Sequence, residues 1–264
     1  MGKQEGVDAL YGEERKKVIL DYIQNHGRAS VQELTEIFQV SESTIRRDLK
    51  ELEEARLLKR THGGALSLQS VNFEPTLGEK EITFLEEKRA IAKKALELIR
   101  EGDTILLDAG TTTFELAKQL KSFSKLVVVT NAVNIFQELI THPGIELIII
   151  GGTLRKETLA MVGPMAEQAL SMIRVDKLFL ATNGLDVEAG LTTPNLIEAA
   201  TKRKMINIAK QVILLADHSK VGVITQAKIT DVNEIHQIIL DDAADEHFIK
   251  QLKTLGIKVH LVYP

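Results

Sequence analysis

The first part of the chain, residues 12 to about 60, spaces its apolar positions by three and four, as short amphipathic helices do. The apolar face of a first predicted helix consists of Val18, Ile19, Tyr22 and Ile23. We expect that helix to end near Gly27. Ser30 and Glu33 have the spacing of a capping box, which opens a second helix. A tight connection at Gln39-Val40 leads to a third.

The third helix is predicted for SESTIRRDLKELEE, residues 41–54, and its charges run against helix electrostatics. Acids usually favour the first turn of a helix and cations the last. Here two arginines come first and the acids Glu51, Glu53 and Glu54 follow. The predicted core face is Ile45, Leu49 and Leu52, and the opposite face carries Ser43, Arg47 and Lys50, flanked by Thr44 and Arg46. This order suits a helix whose first turns meet a polyanion.

The segment that follows, residues 57–66, has a glycine pair between apolar stretches, which predicts a small β-hairpin. Three short helices and a hairpin predict a winged helix-turn-helix domain over residues 12–67, whose last helix enters the DNA major groove. Residues 68–85 have no firm period and contain Pro75 and Gly78. They are predicted to be a linker.

From residue 86 the pattern changes to short apolar strands separated by helical segments. Strands are predicted near 104–110, 126–131, 145–152, 177–182, 212–217, 235–240 and 258–263. Such an alternation predicts a mainly parallel sheet that is covered on both faces. The fold class expected for residues 86–264 is therefore α/β.

Composition narrows the possibilities. The 264 residues carry a net charge of −4 and contain no cysteine, which excludes disulfides, thiol catalysis and cysteine-based zinc sites. Net negative charge argues against a general polyanion binder, so DNA contact requires local placement of charge. No apolar run approaches the roughly 20 residues of a membrane span. We expect a cytoplasmic protein without membrane contact.

A plainer interpretation of the third helix stays open, namely that its charges form ordinary surface pairs and do not contact DNA. Residues 12–67 contain ten Lys or Arg and ten Asp or Glu, so the module is not basic. Its charges also stand four apart, in Glu42 with Arg46, Arg47 with Glu51 and Lys50 with Glu54. Ordinary surface pairs of this kind contribute a few tenths of a kcal/mol.

Polar loops follow several of the predicted strands. Asp108-Ala-Gly-Thr-Thr-Thr113 lies between a strand and a helix, where backbone N–H groups and hydroxyls can hold phosphate. A threonine cap on a purely structural helix is the alternative. Ligands bind outside the carboxyl ends of parallel strands, so the polar strand ends predict one convergent pocket. Glu198 with Lys202 is equally compatible with a surface helix pair, and Asp217 with a turn.

The motifs together resemble the DeoR family of bacterial transcription regulators. The resemblance rests on Arg15, Ile19 and Ile23, then on the run Ser41 to Leu49, and on KRTHGGA, which matches the wing of that family. It implies DNA contacts from Ser41, Ser43, Thr44, Arg46, Arg47 and Lys50, and wing contacts from Lys59, Arg60 and His62. A turn histidine without a role is an equal alternative for His62.

The resemblance continues through DAGTTT, TNA, GGTLR, EAATKRKM and LADHSKVG, and so covers nearly all of the chain. It implies an effector domain similar to ribose-5-phosphate isomerase, which takes a phosphorylated sugar. The implied pocket residues are Asp108, Gly110, Thr111, Thr112, Thr113, Thr130, Asn131, Gly152, Arg155, Glu198, Lys202, Asp217 and Lys220. The acidic Asp-Gly-Ala-Asp-Glu motif of those isomerases is missing from the sequence, which counts against catalysis.

These observations predict a repressor of a carbohydrate-utilisation operon, with operator DNA and a sugar phosphate as partners. Because operator half-sites repeat, we expect a homo-oligomer, either a dimer or a tetramer. No cofactor, metal site or catalytic residue is predicted. A sugar-phosphate isomerase with an accessory helical domain is the alternative, and a protein-binding adaptor is a weaker third.

Overall fold

The computed structural model of the protein describes residues 12–55, 57–61, 63–67 and 77–264. The chain falls into two compact units, Met1–Phe73 and Glu74–Pro264. The elements of the first unit are α1 Gly12–His26, β1 Arg28–Ser30, α2 Val31–Phe38, α3 Glu42–Glu54, β2 Leu58–Thr61 and β3 Gly64–Ser67. Its strands form an antiparallel sheet in the order β1-β3-β2. Three helices followed by a hairpin confirm the predicted winged helix-turn-helix.

Local signals at the helix ends agree with the predictions. The Ser30 hydroxyl accepts from the Glu33 amide, and the Glu33 carboxylate accepts from the Ser30 amide, so the capping box is confirmed. Strand β1 was not predicted. Gly64 explains how it pairs with β3, because a Cβ there would lie 2.1 Å from the carbonyl oxygen of Ala29. Only glycine allows the two strands to approach so closely.

The second unit is built from seven helices and twelve strands among the residues that the structure describes. The helices are α4 Leu77–Ile82, α5 Leu85–Leu96, α6 Thr111–Ala117, α7 Val133–Leu139, α8 Pro164–Ser171, α9 Leu196–Ile208 and α10 Glu246–Thr254. The strands are β4 Thr104–Leu107, β5 Leu126–Thr130, β6 Ile145–Ile149, β7 Thr153–Arg155, β8 Ala160–Val162, β9 Val175–Leu180, β10 Gly184–Asp186, β11 Gly190–Thr193, β12 Ala209–Leu215, β13 Ala227–Thr230, β14 Gln237–Asp241 and β15 Lys258–Val262.

The main sheet has seven parallel strands in the order β15-β14-β12-β9-β4-β5-β6. Successive residues of β4 serve opposite faces, as a pleated strand requires. Ile105 and Leu107 pack with α5, α6 and α7, whereas Leu106 packs with α8, α9 and α10. The sheet is therefore covered on both faces, and the predicted α/β class and its seven strands are confirmed.

Two small antiparallel elements were not predicted. They are the hairpin of β7 and β8 and the sheet of β10, β11 and β13, whose strands are only three or four residues long. Part of the predicted linker, α4, is helical. The domain limits 12–67, 68–85 and 86–264 stay a prediction.

Candidate functional site

The exposed face of α3 carries the side chains predicted to contact DNA. Ser41 caps the helix, and its hydroxyl accepts from the Thr44 amide at 3.2 Å. Ser43, Arg46, Arg47 and Lys50 are exposed, and Thr44 is half-buried. The predicted core face, Ile45, Leu49 and Leu52, is at most 5% exposed. The fold thus gathers the candidate residues of α3 on one accessible surface.

Neighbouring acids occupy part of this surface. Arg46 lies 3.3 Å from Glu42 and Lys50 lies 3.6 Å from Glu54, and all four side chains are more than half exposed. Such pairs contribute little stability and exchange readily for a phosphate. Glu51 instead pairs with Lys16 of α1 at 2.6 Å, so the suggested pair of Arg47 with Glu51 is not the one that forms.

Asp48 lies on the buried side of α3, where it meets α1. Its carboxylate accepts two hydrogen bonds from the Arg15 guanidinium, at 2.6 Å from Nε and 3.1 Å from Nη2. Asp48 is 4% exposed. Bidentate pairing of this kind is strong and directional. The pair therefore ties α3 to α1, a role that the sequence pattern did not identify.

The wing residues differ from one another. Lys59 is exposed, whereas Arg60 is half-buried. The Arg60 amide donates to the Glu53 carboxylate at 2.8 Å, and the Arg60 guanidinium lies 3.9 Å from the same carboxylate. Arg60 therefore ties β2 to α3. The third predicted wing residue, His62, lies outside the described residues.

A polar cleft opens at the carboxyl ends of β4, β9 and β12, which are neighbours in the sheet. Its lining is formed by Leu77, Lys80, Lys88, Ala109, Gly110, Thr111, Thr112, Thr158, Ala181, Thr182, Asn183, Glu198, Lys202, Leu215, Ala216, Asp217 and Lys220. Seven of these were predicted from the sequence, on three separate segments of the chain. The structure thus brings together strand ends that the sequence separates by more than 100 residues.

An ion-pair network is buried beside the cleft. The Lys202 ammonium contacts the Asp108 carboxylate and lies 3.5 Å from Glu198. Arg155 pairs with the other oxygen of Glu198. Burial raises the pKa of Asp108 in spite of Lys202. Burial disfavours the charged form of Lys202 as well, but Asp108 and Glu198 raise its pKa above the ordinary value. Because two carboxylates face it, Lys202 is the group of this network that keeps its charge.

Six predicted pocket residues are absent from this lining. Asp108 and Arg155 belong to the buried network beside the cleft, and the other four are Thr113, Thr130, Asn131 and Gly152. Thr130 donates to the carbonyl oxygen of Leu107 at 2.8 Å, and Thr113 and Asn131 likewise donate to backbone carbonyls. Gly152 has φ of 155°, where a side chain would be strained. In this structure these residues shape the loops around the cleft.

Lys88 was missed by the sequence interpretation although it is 3% exposed and lines the cleft. It shares the buried stripe of α5 with Ile91, Ala92 and Ala95. A lysine at an apolar helical position is the signal that could have found it. Burial lowers the pKa of Lys88 to about 8. Its ammonium group donates to the carbonyl oxygens of Thr83, at 2.5 Å, and Lys80.

A winged helix-turn-helix unit joined to an α/β unit with a charged cleft defines a class of DNA-binding transcriptional regulators. The family model for the DeoR-like helix-turn-helix domain matches residues 15–71, and that for the DeoR C terminal sensor domain matches residues 83–242. The chain belongs to the DeoR family, as the sequence motifs predicted. It is a transcriptional regulator.

Relatives match along almost their full length. The HTH-type transcriptional regulator GlpR of Haloferax volcanii is 42% identical over 93% of this chain and 96% of its own. The HTH-type transcriptional repressor GlcR of Bacillus subtilis is 37% identical over 95% of this chain and 96% of its own. These names favour the regulator over the isomerase-like enzyme that we kept as the alternative.

Solved structures are more distant. Ribose 5-phosphate isomerase A of Methanocaldococcus jannaschii is 16% identical, covers 53% of this chain and 55% of its own, and gives a TM-score of 0.39. That likeness is too remote to support an argument about the cleft. Among the described residues no helix is both long and apolar enough to span a membrane.

Proposed function

We propose that the protein represses a carbohydrate-utilisation operon and that a phosphorylated sugar, bound in the cleft, controls its binding to operator DNA. The observation that carries the effector proposal is the charge of the lining. Four lysines and two acids line the cleft, which gives a formal charge of +2 among otherwise neutral residues. A phosphate monoester carries about −1.5 to −2 at neutral pH, so the charges match.

The polar groups suit the remainder of such a ligand. Sugar hydroxyls both donate and accept hydrogen bonds, and the cleft offers threonine hydroxyls, the Asn183 amide and the Glu198 carboxylate. Leu77 and Leu215 supply apolar surface. A cleft that is mostly neutral, with a few placed charges, is typical of small-molecule sites.

A thermal-shift screen of the full-length protein tests the effector proposal. Each of a panel of pentose and hexose phosphates is compared with its unphosphorylated sugar. A ligand that binds only the folded state raises the melting temperature. We expect at least one phosphate to raise it where its sugar does not, and Thr112→Ala to reduce that shift. A panel without any such phosphate would contradict the proposal.

Operator binding is proposed to use the exposed face of α3, with Arg47 at its centre. A good arginine contact to a base contributes about 1–3 kcal/mol of discrimination. We expect Arg47→Ala to weaken operator binding about 10- to 100-fold in a gel-shift titration. Arg174→Ala, an exposed arginine of the other unit, is the matched control. Unchanged affinity in Arg47→Ala would refute this role for α3.

Control by the effector requires that the protein has two arrangements and that the effector binds one of them more tightly. A ligand shifts an equilibrium between two states only if its affinities for the two states differ. We infer a homo-oligomer in the cytoplasm, since paired heads match half-sites about one helical turn apart. Sedimentation of the protein with and without operator DNA measures its assembly. A monomer on the DNA would contradict this inference.

A further inference from the structure

The charges around the cleft divide into two groups. The group beside α9 consists of Asp108, Arg155, Glu198 and Lys202, which are joined by direct contacts. Two cations face two carboxylates there, so this end of the cleft is neutral. Placing a phosphate dianion at this end would set it against two buried acids, which is unfavourable where charges are poorly solvated.

The group at the other end consists of Lys80 of α4, Lys88 of α5, and Asp217 and Lys220 of the turn after β12. Lys220 lies 3.9 Å from Asp217. Asp217, Lys220 and Lys80 all act on the charge of Lys88. Three cations and one carboxylate give this end a formal charge of +2. The excess positive charge among the lining residues therefore belongs to this group.

This inference rests on the proposed sugar-phosphate function. We propose that the phosphate group of the effector binds at the lysine end, between Lys80, Lys88 and Lys220, and that its hydroxyl groups face the neutral end. A dianion balances the charge of +2 and makes charge-assisted hydrogen bonds to ammonium groups, which are roughly twice as strong as neutral ones. Neither Lys80 nor Lys88 belongs to the sequence-predicted pocket.

Binding at this end also involves α4. Lys80 belongs to α4, and Lys88 holds the end of that helix through the carbonyl oxygens of Lys80 and Thr83. In the sequence α4 begins at Leu77, shortly after Phe73, where the DNA-binding unit ends. The bound phosphate therefore stabilises the segment that leads to that unit. This gives the effector a route to operator binding.

Calorimetry of the full-length protein tests the assignment with inorganic phosphate and with the panel sugar phosphate that gives the largest thermal shift. We expect Lys80→Gln and Lys88→Gln each to weaken binding of that sugar phosphate at least about 10-fold. Lys93→Gln, an exposed lysine on the same helix as Lys88, is the control and leaves affinity unchanged. Wild-type affinity in both test variants would place the phosphate elsewhere, for example at Thr111 to Thr113, and would overturn the inference alone.

A second measurement needs no variant. Because the pKa of Lys88 lies at about 8, a nearby dianion raises it and draws in a proton. Calorimetry at pH 8 in buffers of different ionisation enthalpy should detect uptake of up to about half a proton per protein. Two other titratable side chains have partners of their own. Glu115, whose charge also affects the pKa of Lys88, pairs with Lys118, and His218 pairs with Asp241.

The outcomes separate the two proposals. Proton uptake that Lys88→Gln removes supports the lysine end, and binding without uptake by the wild-type protein contradicts it. Hydrogen exchange gives a third readout, since residues 77–83 should exchange more slowly with the sugar phosphate than with its unphosphorylated sugar. If no panel phosphate binds at all, the proposed sugar-phosphate function fails, and this inference fails with it.

Discussion

The two candidate sites hold their charges in opposite ways. On α3 the cations are exposed, and those that pair do so with exposed acids one turn away, as Arg46 does with Glu42. In the cleft Asp108, Glu198 and Lys202 are at most 3% exposed and pair with one another. The proposed DNA-binding surface thus consists of groups that water already solvates, whereas the buried charges beside the cleft compensate one another.

The difference has a consequence for mutagenesis. A substitution on α3 should change DNA affinity with little effect on folding, because surface changes usually stay within about ±0.5 kcal/mol. A substitution in the buried network should change folding first and ligand affinity second. Substitutions should therefore affect binding and stability separately in the first unit and together in the second.

Removing Lys202 should give the largest effect. Lys202→Met leaves Asp108 and Glu198 without their shared cation, and breaking a buried pair in this way costs about 3–5 kcal/mol. We expect urea unfolding of the full-length protein to show a decrease of that size in the free energy of unfolding of the second unit. Lys210→Met, which breaks an exposed pair with Asp176, should have a far smaller effect on stability. Equal losses of stability in Lys202→Met and Lys210→Met would mean that burial of the charges does not distinguish the cleft from the surface of α3.

Asp48 is the exception on α3, and its substitution sharpens the comparison. Asp48→Asn weakens the bidentate pair with Arg15, and a buried hydrogen bond to a charged group contributes about 1.5–3 kcal/mol. We expect a stability loss of about 2 kcal/mol together with weaker operator binding. Glu42→Gln on the same helix is the control and should leave stability nearly unchanged. Operator binding that survives in folded Asp48→Asn would show that the pair does not position α3.

Lys88 predicts a pH dependence of the sensor unit. Its pKa of about 8 in the folded state lies below the 10.5 of an unperturbed lysine, so between these values the unfolded state binds more protons. Stability therefore rises with pH across this window through Lys88. The two carbonyl acceptors favour the charged form, so we expect a gain on the order of 1–2 kcal/mol. Unfolding at pH 8 and pH 10 measures it, and a gain that persists in Lys88→Gln would assign it to another group.

Local patterns in the sequence predicted the three helices of the first unit and the main sheet of the second, but not the short strands β1, β7, β8, β10, β11 and β13. Apolar spacing identified α3 and its buried face, and the apolar runs identified the seven strands of the main sheet. These signals are strong because each residue reports on its own burial. The polar ends of β4, β9 and β12 converge at the cleft for a different reason, because a parallel sheet brings the carboxyl ends of its strands to one edge.

Pairings between distant segments could not be predicted in this way. Glu51 has Arg47 one turn away in the sequence, yet it pairs with Lys16 of α1 because the packing of the two helices brings them within 2.6 Å. The Arg15–Asp48 pair depends on the same packing. The sequence analysis gave Lys88 no role. Only its register with Ile91 and Ala95 marks it as buried.

The smallest expected effect lies at the end of α3. Glu54 is exposed, and its contact with Lys50, at 3.6 Å, joins two exposed side chains. We expect Glu54→Ala to change stability by a few tenths of a kcal/mol and to leave operator affinity within about twofold. Gel-shift titration beside Arg47→Ala compares the two ends of one helix under the same salt concentration. A loss in Glu54→Ala as large as that in Arg47→Ala would mean that DNA contacts extend to the acidic end, and the charge order of α3 would then need a different explanation.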